Sequence, residues 1–126
     1  MGLSDFRVEP AVAATDLAAA RRFYEDQLGL RDPEPEEDGV RYPCAGGTRL
    51  FVYESSTAGK AEHTVAGWFV DDLDALMTEL EGRGVSFEQY DEGTPTDERG
   101  VFTAERFRAA WVRDPDGNTL AFAELF

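Results

Sequence analysis

The chain reads as an α+β protein assembled from two copies of one unit, a strand, a helix and then three strands. Three observations predict this. Two amphipathic helical segments each open from an acidic cap, alternating strand-like segments flank both, and the second half repeats the first at fixed offsets.

In the first half, an extended stretch at residues 6–13 leads to Thr15-Asp16, which reads as a helix cap. Leu17, Ala20, Phe23, Tyr24 and Leu28 then recur at helical spacing until Gly29 ends the pattern. Strands are expected at 30–34, 40–44 and 48–54, with the Pro-Glu-Pro-Glu-Glu-Asp run at 33–38 as a solvated edge or loop. In the second half, a strand at 63–70 runs into Asp71-Asp72. A helix carrying Leu73, Leu76, Met77 and Leu80 follows, and it stops near Gly84. Strands are expected at 86–91, 107–113 and 118–125. Between the last two, Asp114-Pro115-Asp116-Gly117 has the composition of a hairpin turn.

The repeat is visible in detail. Thr15-Asp16-Leu17 aligns with Asp71-Asp72-Leu73 at an offset of 56, whereas residues 47–54 align with 117–124 at an offset of 70. The second half therefore carries 14 additional residues, best placed in the Gly-, Pro-, Thr- and charge-rich segment 91–105. That segment reads as a solvated connection or, alternatively, as a lid. Module one is assigned to 1–56 and module two to 61–126, together one domain of 126 residues. A chain of this size buries roughly two-thirds of its unfolded surface and needs no covalent staples.

Composition excludes several functions. A net charge of −14 repels phosphate backbones and anionic headgroups, so nucleic acid is not an expected partner. No apolar run approaches the roughly 18 residues of a membrane span, and residues 1–12 lack the pattern of a signal peptide, so a cytoplasmic protein without a membrane partner is expected. Cys44 and His63 are the only residues of their kinds, which rules out an intrachain disulfide and any site built on several imidazoles. The acidic balance serves solubility and could also attract a cationic small molecule.

Three motifs occur in order: Thr15-Asp16-Leu17 followed by Arg22-Phe-Tyr-Glu-Asp-Gln-Leu-Gly-Leu30, then Trp68-Phe-Val-Asp-Asp-Leu-Asp74, then Arg113-Asp-Pro-Asp-Gly-Asn118. With the duplication, they resemble the vicinal oxygen chelate superfamily, which groups glyoxalase I, extradiol dioxygenases, fosfomycin-modifying enzymes and bleomycin-resistance binding proteins. The resemblance implies two βαβββ modules curled into a half-open barrel around a ligand cavity, and commonly a homodimer. It also implies metal ligands on the first and last strand of each module, at Glu9, Val65, Phe51 and Ala121 here. Only Glu9 can bind a cation, so no metal and no cofactor are expected. The closest style is the metal-free bleomycin-resistance type, with antibiotic resistance as the associated role.

Strand parity places Ala11, Ala13, Phe51, Tyr53, Val65, Gly67, Phe69, Ala121 and Ala123 toward the cavity, and Val12, Leu50, Val52, Trp68, Leu120 and Phe122 toward the helices. The expected ligand-binding set is Glu9, Phe51, Tyr53, His63, Val65, Phe69, Trp111 and Ala121, around a molecule with a planar or aromatic part or a cationic group, a drug or metabolite to be sequestered. Trp111 is expected to face the ligand. Two alternatives stand beside this reading. One is a lyase, isomerase or dioxygenase-like enzyme using Glu9 and His63, as acid or base or with a displaced metal, for which a shifted register would bring those two residues together as ligands. The other is a domain that docks to a protein partner. Glu54 and Glu124, at equivalent repeat positions, read as polar strand ends.

Overall fold

The computed structural model describes residues 2–126. Each helix starts where a carboxylate can accept a free backbone N–H: Asp16 accepts from Ala19 and Asp72 from Ala75. From these caps run α1 (Leu17–Arg21), which widens into a π-helical stretch at Arg22–Gln27, and α2 (Leu73–Gly82). Gly29 and Gly84, both at positive φ, turn the chain out of the two helices.

The strands of the first half are β1 (Ala11–Ala14), β2 (Glu34–Pro35), β3 (Gly39–Pro43) and β4 (Arg49–Glu54), in the sheet order β1-β4-β3-β2. Those of the second half are β5 (Thr64–Phe69), β6 (Phe102–Thr103), β7 (Phe107–Arg113) and β8 (Thr119–Leu125), in the matching order β5-β8-β7-β6. In each sheet the first and last strands pair in parallel and the others antiparallel. The protein is thus α+β with two sheets of four strands, which do not join into a closed barrel.

Register reproduces the two offsets seen in the sequence. Ala11 opposite Phe51 in one sheet corresponds to Gly67 opposite Ala121 in the other, and Ala13 opposite Tyr53 corresponds to Phe69 opposite Ala123. One face of each sheet is buried. Val12, Val40, Tyr42, Leu50 and Val52 from the first, and Ala110, Val112, Leu120 and Phe122 from the second, form one core with Tyr24, Leu73, Met77 and Leu80 of the helices. Leu17, Leu28, Leu76 and Trp68 pack against its rim. The alternate residues of the same strands form a face turned away from the helices.

The two halves are clasped by the turn after β7. Asp114 is buried; its Oδ2 accepts from the Tyr24 hydroxyl at 2.7 Å and from Asn118 Nδ2 at 2.8 Å. Asn118 Nδ2 also donates to the carbonyl of Ala13 at 2.8 Å, and Asp116 accepts from the backbone N–H and hydroxyl of Thr15. A segment expected only to reverse the chain therefore ties the β7-β8 hairpin to the end of β1 and to the π-helical stretch that follows α1.

Several strand boundaries differ from the sequence reading. Residues 86–91 are not a strand, although Glu88 N–H does donate to the carbonyl of Trp111; the outer strand of that sheet is β6, from within the 91–105 segment. Only Glu34 of the stretch 30–34 pairs, and β2 continues into Pro35, so the run read as a solvated edge or loop supplies the edge strand. Prolines suit such an edge because the outer side needs no donor. Residues 6–10 precede β1 rather than forming it, and His63 lies in a bend before β5. The 91–105 segment is also tied down. The Asp97 carboxylate accepts from the backbone N–H groups of Arg99, Gly100 and Val101, and Arg99 reaches Asp74, Thr78 and Glu81 on α2. Those backbone bonds, led by the one from Val101, hold the Asp97 carboxyl below its ordinary pKa.

Candidate functional site

β1 lies beside β5, so the seam between modules runs along β1, and three hollows follow it. The first, about 540 Å³, is bordered by Arg7, Glu9, Arg41, Arg49 and the Gly46-Gly47-Thr48 turn. The second, about 400 Å³, shares Thr48 and Arg49 with it and continues between Pro10, Cys44 and Leu50 on one side and Ala66, Gly67, Trp68 and Phe69 on the other. The third, about 180 Å³, lies at the other end of β1 among Ala11, Ala13, Tyr53, Lys60 and Val65. The first two together fall within the volume range of small-molecule sites.

Small side chains make this space. Ala11, Ala13 and Gly67 sit on the strands that meet at the seam, where larger residues would fill it. Phe51 and Tyr53, two apart on β4, present their rings on one face and stack at 5.6 Å between centroids. Arg41, opposite Phe51 on β3, lies over that ring at 4.3 Å. Its Nε donates to Glu9 at 2.8 Å and its Nη1 to Glu36 at 2.6 Å. The bond to Glu9 raises the Arg41 pKa above its ordinary value; desolvation opposes this and Glu36 reinforces it. Arg49, opposite Pro43 and two positions before Phe51 on β4, reaches Glu34 at 3.0 Å.

The structure distributes the sequence-predicted site residues as follows. Glu9 borders the first hollow, Phe69 the second, and Tyr53 and Val65 the third. Phe51 forms the support beneath Arg41. Ala121 sits between Gly67 and Trp111 in the second sheet, and Trp111 packs edge-on against Tyr90 at 5.6 Å and near Phe102 at 6.4 Å, away from the three hollows. Trp68, expected to face a helix, stacks on Phe122 at 5.5 Å and also walls the second hollow. Glu9 and His63 share none of these three hollows, and Glu9 is hydrogen-bonded instead to Arg41. Glu9 stands just before β1, while His63 precedes β5, whose own start lies beside β1 among Ala11, Ala13 and Val65. A register shift between Thr64 and Ala66 also breaks the alternation that would carry the face of Val65 back toward His63.

A divalent metal does not fit the residues present. Of the four positions implied by the resemblance, Glu9 is already bonded to Arg41, and Phe51, Val65 and Ala121 have no donor atoms. Among the described residues, no group of three or more His, Cys, Asp or Glu side chains could hold a metal ion. Sequence reasoning considered Arg7 and Arg49 only as charges to pair with Glu9, kept them out of the site, and did not single out Arg41. The signal was available, since strand parity puts Arg49 with Phe51 on one face and the pairing of β3 with β4 adds Arg41. Glu124, equivalent to Glu54, turns out to accept from the N–H of Leu73 at 2.8 Å, closing the start of α2.

Comparison with known proteins agrees with this architecture. The profile of the Glyoxalase/Bleomycin resistance protein/Dioxygenase superfamily matches residues 8–122. Among solved structures, the chain is similar to a glyoxalase / bleomycin resistance protein from Catenulispora acidiphila, with 28% identity over 94% of this chain and 97% of that one and a TM-score of 0.66. It shares its fold with TnmS3, an antibiotic binding protein from Streptomyces sp. CB03234, at 23% identity over 92% of both chains and a TM-score of 0.67. It does so too with a glyoxalase/bleomycin resistance protein/dioxygenase from Alicyclobacillus acidocaldarius, at 22% identity over 94% of this chain and 90% of that one and a TM-score of 0.70. No curated protein matches the chain. The paired modules, their shared register and the profile match across nearly the whole sequence lead to one conclusion: the chain belongs to the Glyoxalase/Bleomycin resistance protein/Dioxygenase superfamily.

Proposed function

We propose that the protein is a metal-independent binding protein that sequesters a small organic molecule, a drug or metabolite with a planar or aromatic part, in the seam between its modules. The observation that carries this reading is the pair of adjoining hollows of about 540 and 400 Å³, which share Thr48 and Arg49 and are walled by Leu50, Trp68 and Phe69. The absence of donor atoms at three of the four metal positions supports binding without a metal. Similarity to an antibiotic binding protein supports a drug-like ligand. The separation of Glu9 from His63 weighs against the reading in which the two act together as acid and base.

The proposal includes a cytoplasmic homodimer. Phe69, at 79% exposure, and Leu125 and Phe126, at 65% each, are apolar surface that a second copy would cover. Sedimentation equilibrium across the micromolar range tests this, and a monomer throughout would contradict it. The binding claim is tested by calorimetry with planar aromatic antibiotics on protein treated with a chelator. Binding at full stoichiometry supports the proposal. Binding that disappears with the chelator and returns with a divalent metal would refute metal independence, and turnover of the bound compound would move the protein to the enzymatic class.

A further inference from the structure

The protein carries 12 basic residues against 26 acidic ones, yet three of the 12, Arg7, Arg41 and Arg49, converge on a single hollow with Glu9 as its only carboxylate. In a chain of net charge −14 the lining of this hollow thus carries an excess of positive charge, with Glu36 and Glu34 standing behind Arg41 and Arg49 as their ion-pair partners. We propose that this hollow recognises the acidic group of the ligand, so that the molecule held along the seam is an organic anion, an oxyanion head joined to a planar or apolar body. The inference rests on the reading of the seam as a small-molecule site and adds the class of molecule it takes.

Three features support it. First, the guanidinium groups are held in place. Arg41 is fixed by Glu9, by Glu36 and by the Phe51 ring beneath it, and Arg49 by Glu34. A guanidinium has five N–H donors, and the ion pairs use Nε and Nη1 of Arg41 and Nη1 of Arg49, so both keep donors for an incoming oxyanion. Arg7 forms none of the ion pairs found among the described residues. Second, the far wall is bare. Gly46 and Gly47 both have positive φ, and a Cβ at either would meet nothing within 4 Å, so no side chain screens the approach. Third, the hollow is too large for an oxyanion alone, and it opens through Thr48 and Arg49 into the space bordered by Leu50, Ala66, Trp68 and Phe69. An acidic head at the arginines therefore places an apolar body against the aromatic residues.

The same geometry disfavours the cationic ligand that overall charge suggested. The carboxylate best placed to receive a cation, Glu9, is occupied by Arg41, and a cation entering here would face three guanidinium groups.

The test compares three probes of one shape by calorimetry: naphthoate, its neutral amide and naphthylmethylammonium. Naphthoate should bind about tenfold more tightly than either of the others, as expected for one or two charge-assisted hydrogen bonds at a partly exposed site. Combining Arg7→Gln with Arg49→Gln should reduce the naphthoate-to-amide ratio to about twofold or less, in a variant whose thermal unfolding shows that it still folds. Equal binding of naphthoate and amide, or a ratio that survives the double substitution, would overturn this inference while leaving the seam as a binding site. Tightest binding of the ammonium would also overturn it. If none of the three binds at millimolar concentration, this inference and the reading of the seam both fail.

Discussion

Tyr24→Phe removes one oxygen atom and tests how the two halves are held together. The Tyr24 ring has no exposed surface, and its hydroxyl donates to Asp114 Oδ2 at 2.7 Å across 90 positions of sequence. The substitution keeps the ring and its packing against Phe23 and Tyr42, so the loss isolates the hydrogen bond. A bond to a charged, buried acceptor contributes about 1.5–3 kcal/mol. Asp114 retains Asn118 Nδ2 on the same oxygen and the N–H groups of Asp116 and Asn118 on the other, which argues for the lower part of that range. For a chain of this size roughly 4 °C of melting temperature accompanies each kcal/mol, so a fall of about 6–10 °C is expected. Urea unfolding followed by circular dichroism measures it, with an unchanged m-value showing that stability alone has moved. A loss below about 0.5 kcal/mol, typical of surface changes, would refute the clasp. The pH dependence offers an independent check. Burial and the neighbouring Asp114 raise the Tyr24 pKa above its ordinary value of 10.0, so the folded protein keeps a proton that the unfolded chain releases. Stability should therefore fall as pH rises above about 10, and less steeply in Tyr24→Phe.

Leu120, fully buried at the centre of the second sheet, should cost about 2–5 kcal/mol as Leu120→Ala in the same urea assay. At the acid end, Glu25 and Asp97 both have lowered pKa values. Desolvation works against Glu25, but hydrogen bonds from Arg21 and Tyr42 outweigh it, while backbone N–H groups hold Asp97. Their contribution should be complete above the ordinary carboxylate range and lost as pH falls below about 4, and Asp97→Asn should flatten that limb. Arg99→Ala should cost no more than about 1 kcal/mol globally while speeding amide exchange in residues 91–100, because it releases the loop from α2.

The fold was legible because local signals agreed. Acidic caps, helical spacing and the repeated turn named both helices, and the offset pairs of the duplication reappear as strand register. Legibility failed at edges, where pairing does not follow from composition. The stretch 86–91 has strand-like residues but no ladder, whereas Phe102-Thr103, inside a segment read as a loop, completes the sheet. For the candidate site, parity correctly separated the Phe51 and Tyr53 face from the core, but it could not say where the sheets approach. That approach puts the space along β1 and β5 rather than beside Trp111, and makes Trp68 a wall as well as a packing residue. Arg41 was overlooked, and Arg49 was left out of the site, because a search for metal ligands passes over cations. The clasp at Asp114 was read as local turn chemistry, since nothing in its composition reveals that Tyr24 and Ala13 lie within reach.

The central claim, that a small molecule occupies the seam between modules, is tested most directly by amide and indole chemical shifts recorded during titration with naphthoate. The account predicts saturable shifts concentrated at Gly46, Gly47, Leu50, Gly67 and the indole of Trp68, which border the two adjoining hollows. Shifts confined to the wall formed by Tyr90, Phe102 and Trp111, or no shifts at millimolar concentration, would contradict it.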